Sequence, residues 1–417
     1  MALDSSARLG CFAAVVAAWD AGTYLLIHRL SGMFNDFDFY WASARLITRG
    51  RDPYDLVQMH QVLASIGLHP SSAMGYAYPL ALAYLMVPLS FLPPLVAGLV
   101  FSGISLVALA AAATMLLAPL RGLWWVERLA IAFAIGSFVP ITGSLRMGQI
   151  NLLVLLLLVV AFRGLARAST LALAGAIKLS PVVGLFSFPP SQWWSRRGLL
   201  GGAAIFGIVT VLPSLVARGA RLPVLGMLAP DAYYTNESVN GFVGRLGGAI
   251  WHTAPALLPR LPLEPTMLAS VAVLAAVTVA VVLVNGWRST DGVLALLLGF
   301  SVVAAPLNSL WNYTPLLITL IWCWPRVRGS PLQRTLIAAA WALIEVQQTI
   351  YDAGPQLEAG VPLRGLLGST SLYGALLVIG VAAFLLVRER AAAGMFQGPG
   401  HANTASRFAS GIGDHSS

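Results

Sequence analysis

The chain is poor in charged residues and in cysteine. Only 10% of its 417 residues are Asp, Glu, Lys or Arg, against about 25% in an ordinary soluble domain. Its two cysteines, Cys11 and Cys323, lie far apart in apolar stretches, so no disulfide framework can form. The six histidines make no pair with metal-ligand spacing, and no block of Lys and Arg is interleaved with aromatics. We therefore expect no metal site, no cofactor and no nucleic-acid partner.

Long apolar runs recur from one end of the sequence to the other, and 58% of the residues are hydrophobic. The runs lack the alternation of a barrel strand, and only helices or closed barrels can satisfy their backbone inside a bilayer. The sequence therefore predicts an all-α, polytopic integral membrane helical bundle of about 12 spans. Residues 1–390 form a single transmembrane domain in this interpretation. The tail 391–417, rich in Ala, Gly, Ser and His, is expected to be disordered.

The first span is predicted over about Leu9 to Ile27 and contains Asp20, a charge that is costly if it faces lipid. We expect Asp20 to face the interior of the bundle. The polar loop that follows predicts two helices along the membrane surface, over Phe39 to Thr48 and Leu56 to Ile66. The chain then re-enters the membrane near Tyr78.

Arginine clusters predict the orientation, because Lys and Arg accumulate in cytoplasmic loops. Clusters at 326–334 and 388–390 place the C-terminus in the cytoplasm, and counting back places the first loop and the loop 218–265 outside. The protein is thus expected in the inner (cytoplasmic) membrane. The same count places four other arginines outside, against the rule: Arg121, Arg128, Arg163 and Arg167. One re-entrant hairpin between Arg121 and Phe188 would relieve this conflict.

Three charged residues need a chemical explanation. Asp36 and Asp38 follow the first span, and either can face a reaction at the membrane surface or be an ordinary solvated loop carboxylate. Lys178 lies within an apolar stretch, where an unpaired ammonium is expensive. It either points into a wet or anionic cavity or snorkels from a helix end.

Six short motifs occur in a fixed order along the chain. They are Asp36-Phe37 with Tyr40 and Ser43-Ala44, Gly50 with Asp52-Pro53-Tyr54, Tyr78-Pro79 leading to Pro88-Leu89 and Leu92-Pro93, Gly148-Gln149-Ile150-Asn151, Gly175 to Lys178 with Pro181, and Asn236-Glu237-Ser238 with Arg245. In this order they resemble the bacterial polyprenol-phosphomannose-dependent α-mannosyltransferases of glycosyltransferase family 87. One departure is Asn312, where many relatives carry a His beside the Tyr. An amide cannot carry a proton as His can, so an acid/base role at this position is in doubt.

The resemblance implies a GT-C-like membrane fold with an extracytoplasmic active site. It also implies transfer of a hexose, expected to be mannose, from a polyprenyl-phosphate sugar to a hydroxyl of a lipid or glycan acceptor, with inversion. Such a displacement needs one general base and positioned cations for the leaving phosphate. The partners implied are the lipid-linked donor, the acceptor and membrane lipids.

The resemblance also suggests roles for particular residues. Asp36 is the expected general base, and Asp38 is the supporting or alternative base. The expected ligands of the donor phosphate or substrate are Lys178, Arg245, Gln149, Asn151, Tyr40 and Asn236. Two other classes stay open from the residues alone. A flippase for polyprenol-linked sugars or another polytopic transporter would share the spans and the cavity, and a structural subunit would tolerate loss of the Asp36 carboxylate.

Overall fold

The computed structural model describes residues 4–30, 33–70, 74–216, 235–243, 263–353 and 368–395. Within these ranges the regular structure is helical and no strand occurs. Five helical stretches are long and apolar enough to cross a bilayer: Ser5–Ile27, Pro94–Leu120, Trp125–Met147, Pro265–Asn285 and Thr370–Ala391. Shorter apolar helices cover Asn151–Phe162, Leu199–Pro213 and Thr290–Ala304. The all-α, multi-span class is therefore confirmed. Of the tail 391–417 that was expected to be disordered, residues 391–395 continue the last helix, and 396–417 lie outside the described residues.

The α-helices of these ranges are numbered here in chain order. They are α1 Ser5–Ile27, α2 Asn35–Thr48, α3 Leu56–Ala64, α4 Leu80–Leu85, α5 Val87–Ser90, α6 Pro94–Leu117, α7 Trp125–Ser137, α8 Val139–Met147, α9 Asn151–Phe162, α10 Arg167–Ile177, α11 Leu199–Val216, α12 Leu263–Asn285, α13 Thr290–Ala304, α14 Leu316–Cys323, α15 Pro331–Ala353 and α16 Thr370–Met395. Two 3-10 helices matter for the site, Ser180–Ser187 and Leu310–Tyr313.

Helix α1 packs against α6, α7 and α8 through a face of small residues. Gly10, Ala13, Ala17 and Ala21 recur every three or four positions and are buried, which brings the backbones close together. Asp20 lies beside this face and is exposed. Asp20 nevertheless lies within electrostatic reach of Arg146 in α8 and Glu345 in α15, so it is on a side of α1 that faces other helices, and its position in the interior of the bundle stays a prediction.

The two surface helices predicted after the first span are present as α2 and α3, which pack on each other. Asp55 caps α3 by accepting hydrogen bonds from the backbone N–H groups of Val57 and Gln58 at 2.9 and 3.1 Å. The next segment differs from the prediction of a re-entry near Tyr78. It forms only α4 and α5, of six and four residues, because Pro79, Pro88 and Pro93-Pro94 interrupt the helix. At about 1.5 Å per residue, neither helix can cross a bilayer.

Because the segment 79–93 does not cross the membrane, the helices that follow it run in the opposite direction to the one assumed when the spans were counted. This reversal removes most of the conflict over the arginines that the count had placed outside. Arg121 pairs with Asp4, and Arg328 pairs at 3.0 Å with Glu127, the neighbour of Arg128. Arg326 pairs at 3.3 Å with Glu389. The arginines near 121–128, 326–334 and 388–390 therefore gather at one end of the bundle, which we call the basic end.

The chain turns back at Lys178. Helix α10 begins at Arg167, which pairs with Asp291 at the start of α13, and ends at Ile177. Lys178 adopts an extended conformation, and the 3-10 helix Ser180–Ser187 then packs against α10. The chain therefore forms a hairpin from α10 to Ser187, with Lys178 at its tip, opposite the basic end.

Candidate active site

Helix α2 begins against the turn that joins α8 and α9. Phe34, in the left-handed conformation, precedes α2 and donates its N–H to the carbonyl of Arg146 at 2.9 Å. Gly148, at the turn, has a φ of +66°, and a Cβ there would lie 2.6 Å from the Cβ of Phe37. Only glycine allows both the conformation and this close approach. The contact places the first turn of α2, with Asp36, over the residues that follow Gly148.

Gln149 binds Asp36 through a side-chain amide whose orientation is fixed by its neighbours. The Gln149 Oε1 accepts hydrogen bonds from the Tyr78 hydroxyl at 3.3 Å and from Asn151 Nδ2 at 3.1 Å. The Nε2 group must then face the other way, and it donates to Asp36 Oδ2. One Asp36 oxygen is held by this bond, which leaves the other for a different partner.

Lys178 lies at the far side of the same network. Its ammonium donates to Asn151 Oδ1 at 2.6 Å and to Asn312 Oδ1 at 2.5 Å. Asn151 Nδ2 in turn donates to the carbonyl of Trp311 at 2.8 Å and lies 3.1 Å from Ser144 Oγ. An ammonium has three N–H donors, so one remains for a ligand after the two amide contacts.

These residues form a cluster with a buried floor and an accessible rim. Gln149, Asn151 and Ser144 are 3% exposed or less. Asp36, Lys178 and Asn312, together with Tyr78, are only partly buried. Buried amides thus join a carboxylate, which can accept a proton, to an ammonium, which can bind an anion. We call this group of seven residues the Asp36–Lys178 cluster.

The two carboxylates of α2 differ in environment. Burial raises the pKa of Asp36 to about 6, opposed by the hydrogen bond from Gln149 and by the positive charge of Lys178. Burial and the charge of Asp36 raise the pKa of Asp38 to about 7. Of the two carboxylates, Asp36 has the lower pKa and the hydrogen bond that favours its ionised form, so it is the better placed to accept a proton. Both carboxylates lie in the first turn of α2, where negative charge is favourable next to the positive end of the helix.

Tyr40 does not line the rim. It is fully buried and packs edge-on against Tyr78, with 5.0 Å between the ring centroids. Tyr78 is the tyrosine that reaches Gln149. The contacts of Tyr40 therefore support Tyr78, and direct binding of substrate by Tyr40 stays a prediction.

Asn236 lies outside the Asp36–Lys178 cluster. Its Oδ1 accepts from Ser238 Oγ at 2.8 Å and from the N–H of Asn308 at 3.1 Å, which ties the segment 235–243 to the turn before the 3-10 helix Leu310–Tyr313. The adjacent Glu237 is buried and accepts from Gln347 at 3.2 Å and Ser371 at 3.0 Å. Asn236 thus supports the segment that carries Asn312. Arg245 lies outside the described residues.

Three residues of the cluster were not among the predicted site residues. Tyr78 stands in a recognised motif, but nothing in its spacing indicates contact with Gln149. Asn312 drew notice only as a departure from the expected His, and its amide oxygen binds Lys178. Ser144 carried no signal, because its contacts depend on how α8 meets the carbonyl of Trp311.

Comparison with known families gives one match. The model of glycosyltransferase family 87 matches residues 76–310, which is more than half of the chain. The match contains Tyr78, Gln149, Asn151 and Lys178, whereas Asp36 and Asn312 flank it. No match was found among curated proteins.

Proposed function

The chain belongs to glycosyltransferase family 87 and is a membrane glycosyltransferase, and from this premise we propose the reaction. The enzyme moves a hexose, with mannose as the proposed sugar, from a polyprenyl-phosphate donor to a hydroxyl of a lipid or glycan acceptor, with inversion. The observation that carries the proposal is the Asp36–Lys178 cluster, in which one hydrogen-bonded network joins a carboxylate to an ammonium at an accessible rim.

Asp36 acts as the general base in this proposal. The acceptor oxygen forms a bond to the anomeric carbon of the donor, and its proton passes to Asp36 as that bond forms. At the same time the bond from the anomeric carbon to the phosphate oxygen breaks, and its electron pair leaves with the phosphate. A single displacement of this kind inverts the anomeric carbon and needs one carboxylate, unlike the pair of a glycoside hydrolase. A phosphate leaving group needs no acid.

Lys178 stabilises the leaving phosphate. Its ammonium is held by Asn151 and Asn312 and still has one donor for a phosphate oxygen. The charge of an ammonium favours the negative charge that develops as the phosphate leaves. Arg245 is a second cation proposed for the phosphate on the basis of sequence alone.

The proposed orientation follows from the two ends of the bundle. The basic end lies in the cytoplasm by the positive-inside rule, so the Asp36–Lys178 cluster, opposite it, lies at the extracytoplasmic face of the inner membrane. The helices that run from one end of the bundle to the other support about 12 passes. In this count α9, α10 and the 3-10 helix Ser180–Ser187 are each one short pass. On this basis we propose the GT-C-like topology that the resemblance implied.

The test of the reaction uses labelled donor. Membranes that contain the protein should convert polyprenyl-phosphomannose into a mannosylated product without an ion gradient, and membranes without the protein should not. A labelled lipid that only changes leaflet would instead identify a flippase. If another labelled polyprenyl-phosphate hexose is transferred faster than mannose, the enzyme is still a transferase, but mannose is not its sugar.

A second test addresses Lys178. We expect Lys178→Gln to lower turnover on the order of 10²-fold, because the leaving phosphate loses its stabilising charge. The measurement is turnover of purified protein at saturating donor. Arg163→Gln, just after the other end of α9, is the matched control for loss of one cation, since Arg163 is exposed and far from the cluster. Equal turnover of Lys178→Gln and wild type would return Lys178 to a structural role.

A further inference from the structure

A polar cavity lies on the face of α2 that points away from Asp36. Arg45 stands nine positions after Asp36, which is about 180° around the helix. The cavity has a volume of about 290 Å³. Its lining consists of Trp41 and Arg45 of α2, Arg49 just after α2, Val62 of α3 with Ser65 and Ile66 after it, and Phe91 to Pro94, which lead into α6. The lining contains two arginines and no carboxylate.

Three features make this cavity favourable for an anion. The Arg45 guanidinium stacks over the Trp41 ring at 5.1 Å, which holds its charge beside the cavity. The Trp41 indole is itself fixed by a 3.1 Å hydrogen bond to the carbonyl of Leu92. Helix α6 begins at Pro94, so the positive end of a 24-residue helix adds to the charge of the two arginines.

An apolar surface continues from the cavity down the outside of α6. Phe91 at the mouth is 69% exposed, and Leu95, Leu99 and Val107 are also exposed on this membrane-spanning helix. The cavity therefore joins positive charge at the end of a span to an apolar stripe along that span. An anionic headgroup with an acyl chain matches both parts, whereas a soluble anion matches only the first.

We propose that this cavity binds an anionic phospholipid of the bilayer, with the phosphate between Arg45 and Arg49 and one acyl chain along Leu95 and Leu99. The occupant is not the sugar donor, because the reacting groups Asp36 and Lys178 lie on the other side of α2. The bound lipid would hold the α2–α3 surface hairpin against α6. The site is independent of the proposed reaction.

The test measures binding of phosphatidylglycerol and phosphatidylcholine to the delipidated, purified full chain by native mass spectrometry. We expect wild type to prefer phosphatidylglycerol. The double variant Arg45→Gln/Arg49→Gln should bind it at least about tenfold more weakly, without change for phosphatidylcholine. Arg51→Gln is the matched control, since Arg51 is a nearby exposed arginine outside the cavity lining. Equal phosphatidylglycerol affinity of the double variant and wild type would overturn the proposal.

A second measurement needs no loss of charge. A photoreactive benzoylphenylalanine in place of Phe91 should crosslink to phosphatidylglycerol in membranes, and excess glycerol phosphate should not prevent the crosslink. If glycerol phosphate prevents the crosslink, the cavity binds a soluble anion and does not need an acyl chain. Displacement by polyprenyl phosphate at equal concentration would assign the cavity to the lipid carrier, and either result would overturn the phospholipid proposal.

Discussion

At the scale of single residues, the environment distinguishes two carboxylates that are chemically alike. Asp36 has an amide donor and a nearby ammonium, whereas Asp38 has a neighbouring negative charge. The first arrangement keeps a carboxylate ionised near neutral pH, which suits a general base. Sequence position alone favoured Asp36, and the contacts with Gln149 and Lys178 give that choice a physical reason.

The first prediction separates these two residues. Asp36→Asn keeps the shape of the side chain and removes its basicity, so we expect the rate to fall on the order of 10²-fold or more. Asp38→Asn should cost much less, because two positions along a helix turn its side chain about 200° from that of Asp36. The measurement is transfer by purified, folded protein, with Asp38→Asn as the matched control. An inactive Asp38→Asn beside an active Asp36→Asn would reverse the two roles.

The second prediction concerns pH. Only ionised Asp36 can accept the acceptor proton, so kcat/KM should fall as the pH drops through about 6, the raised pKa of this carboxyl. The hydrogen bond from Gln149 lowers this pKa, and Gln149→Leu should therefore move the acid limb to higher pH. Rate profiles from below to above the pKa of Asp36 measure both effects. A profile that is flat over this range would exclude Asp36 as the titrating base.

At the scale of elements, close packing decides where the reactive residues lie. Gly148 allows the first turn of α2 to pack against the α8–α9 turn. Lys178 comes from a different part of the fold, the hairpin of α10 with the 3-10 helix Ser180–Ser187. Helix α9 begins at Asn151 and helix α10 ends at Ile177, so Asn151 and Lys178 stand at helix ends where the cluster needs polar groups. A polar residue at a helix end can join the network without breaking a helical backbone bond.

The third prediction tests the packing of α2. Gly148→Ala should lower activity on the order of tenfold without removing a polar group, because its Cβ would push Phe37 and thus Asp36 away from Gln149. Gly164→Ala is the matched control, since Gly164 has a similar φ of +75° but open space around its Cβ. Both variants carry roughly 1–2 kcal/mol of strain from an L-residue in the left-handed region, and only the first should lose transfer. Equal activity of the two variants would show that the contact with Phe37 does not position the site.

At the scale of the whole molecule, the arginine pairs and the Asp36–Lys178 cluster lie at opposite ends of the bundle. This separation explains why the count of spans gave a conflict. When 79–93 is counted as a crossing, α6 and α7 are assigned the wrong direction through the membrane. The prolines in this segment break it into helices too short to span. With that crossing removed, the arginines at 121 and 128 join the other clusters.

The fourth prediction is orientation. A cysteine at Gln61, on the exposed face of α3, should react with an impermeant thiol reagent in whole cells, because α3 belongs to the end that carries Asp36. A cysteine at Ser195, exposed near Arg196-Arg197, should react only after lysis. The Cys11→Ala background removes the exposed native thiol. Labelling of Ser195→Cys in intact cells would invert the proposed orientation.

The sequence by itself determined the helical membrane class and the family, and it singled out Asp36, Gln149, Asn151 and Lys178 as candidates for the site. These depend on local properties: the length of apolar runs, the position of charges and the order of short motifs. Only the tertiary structure decided that these four residues meet, that Tyr78 and Asn312 join them, and that Asn236 does not. Such contacts link residues that are far apart in the chain, and a helical pattern records which face is apolar but not which helix will cover it.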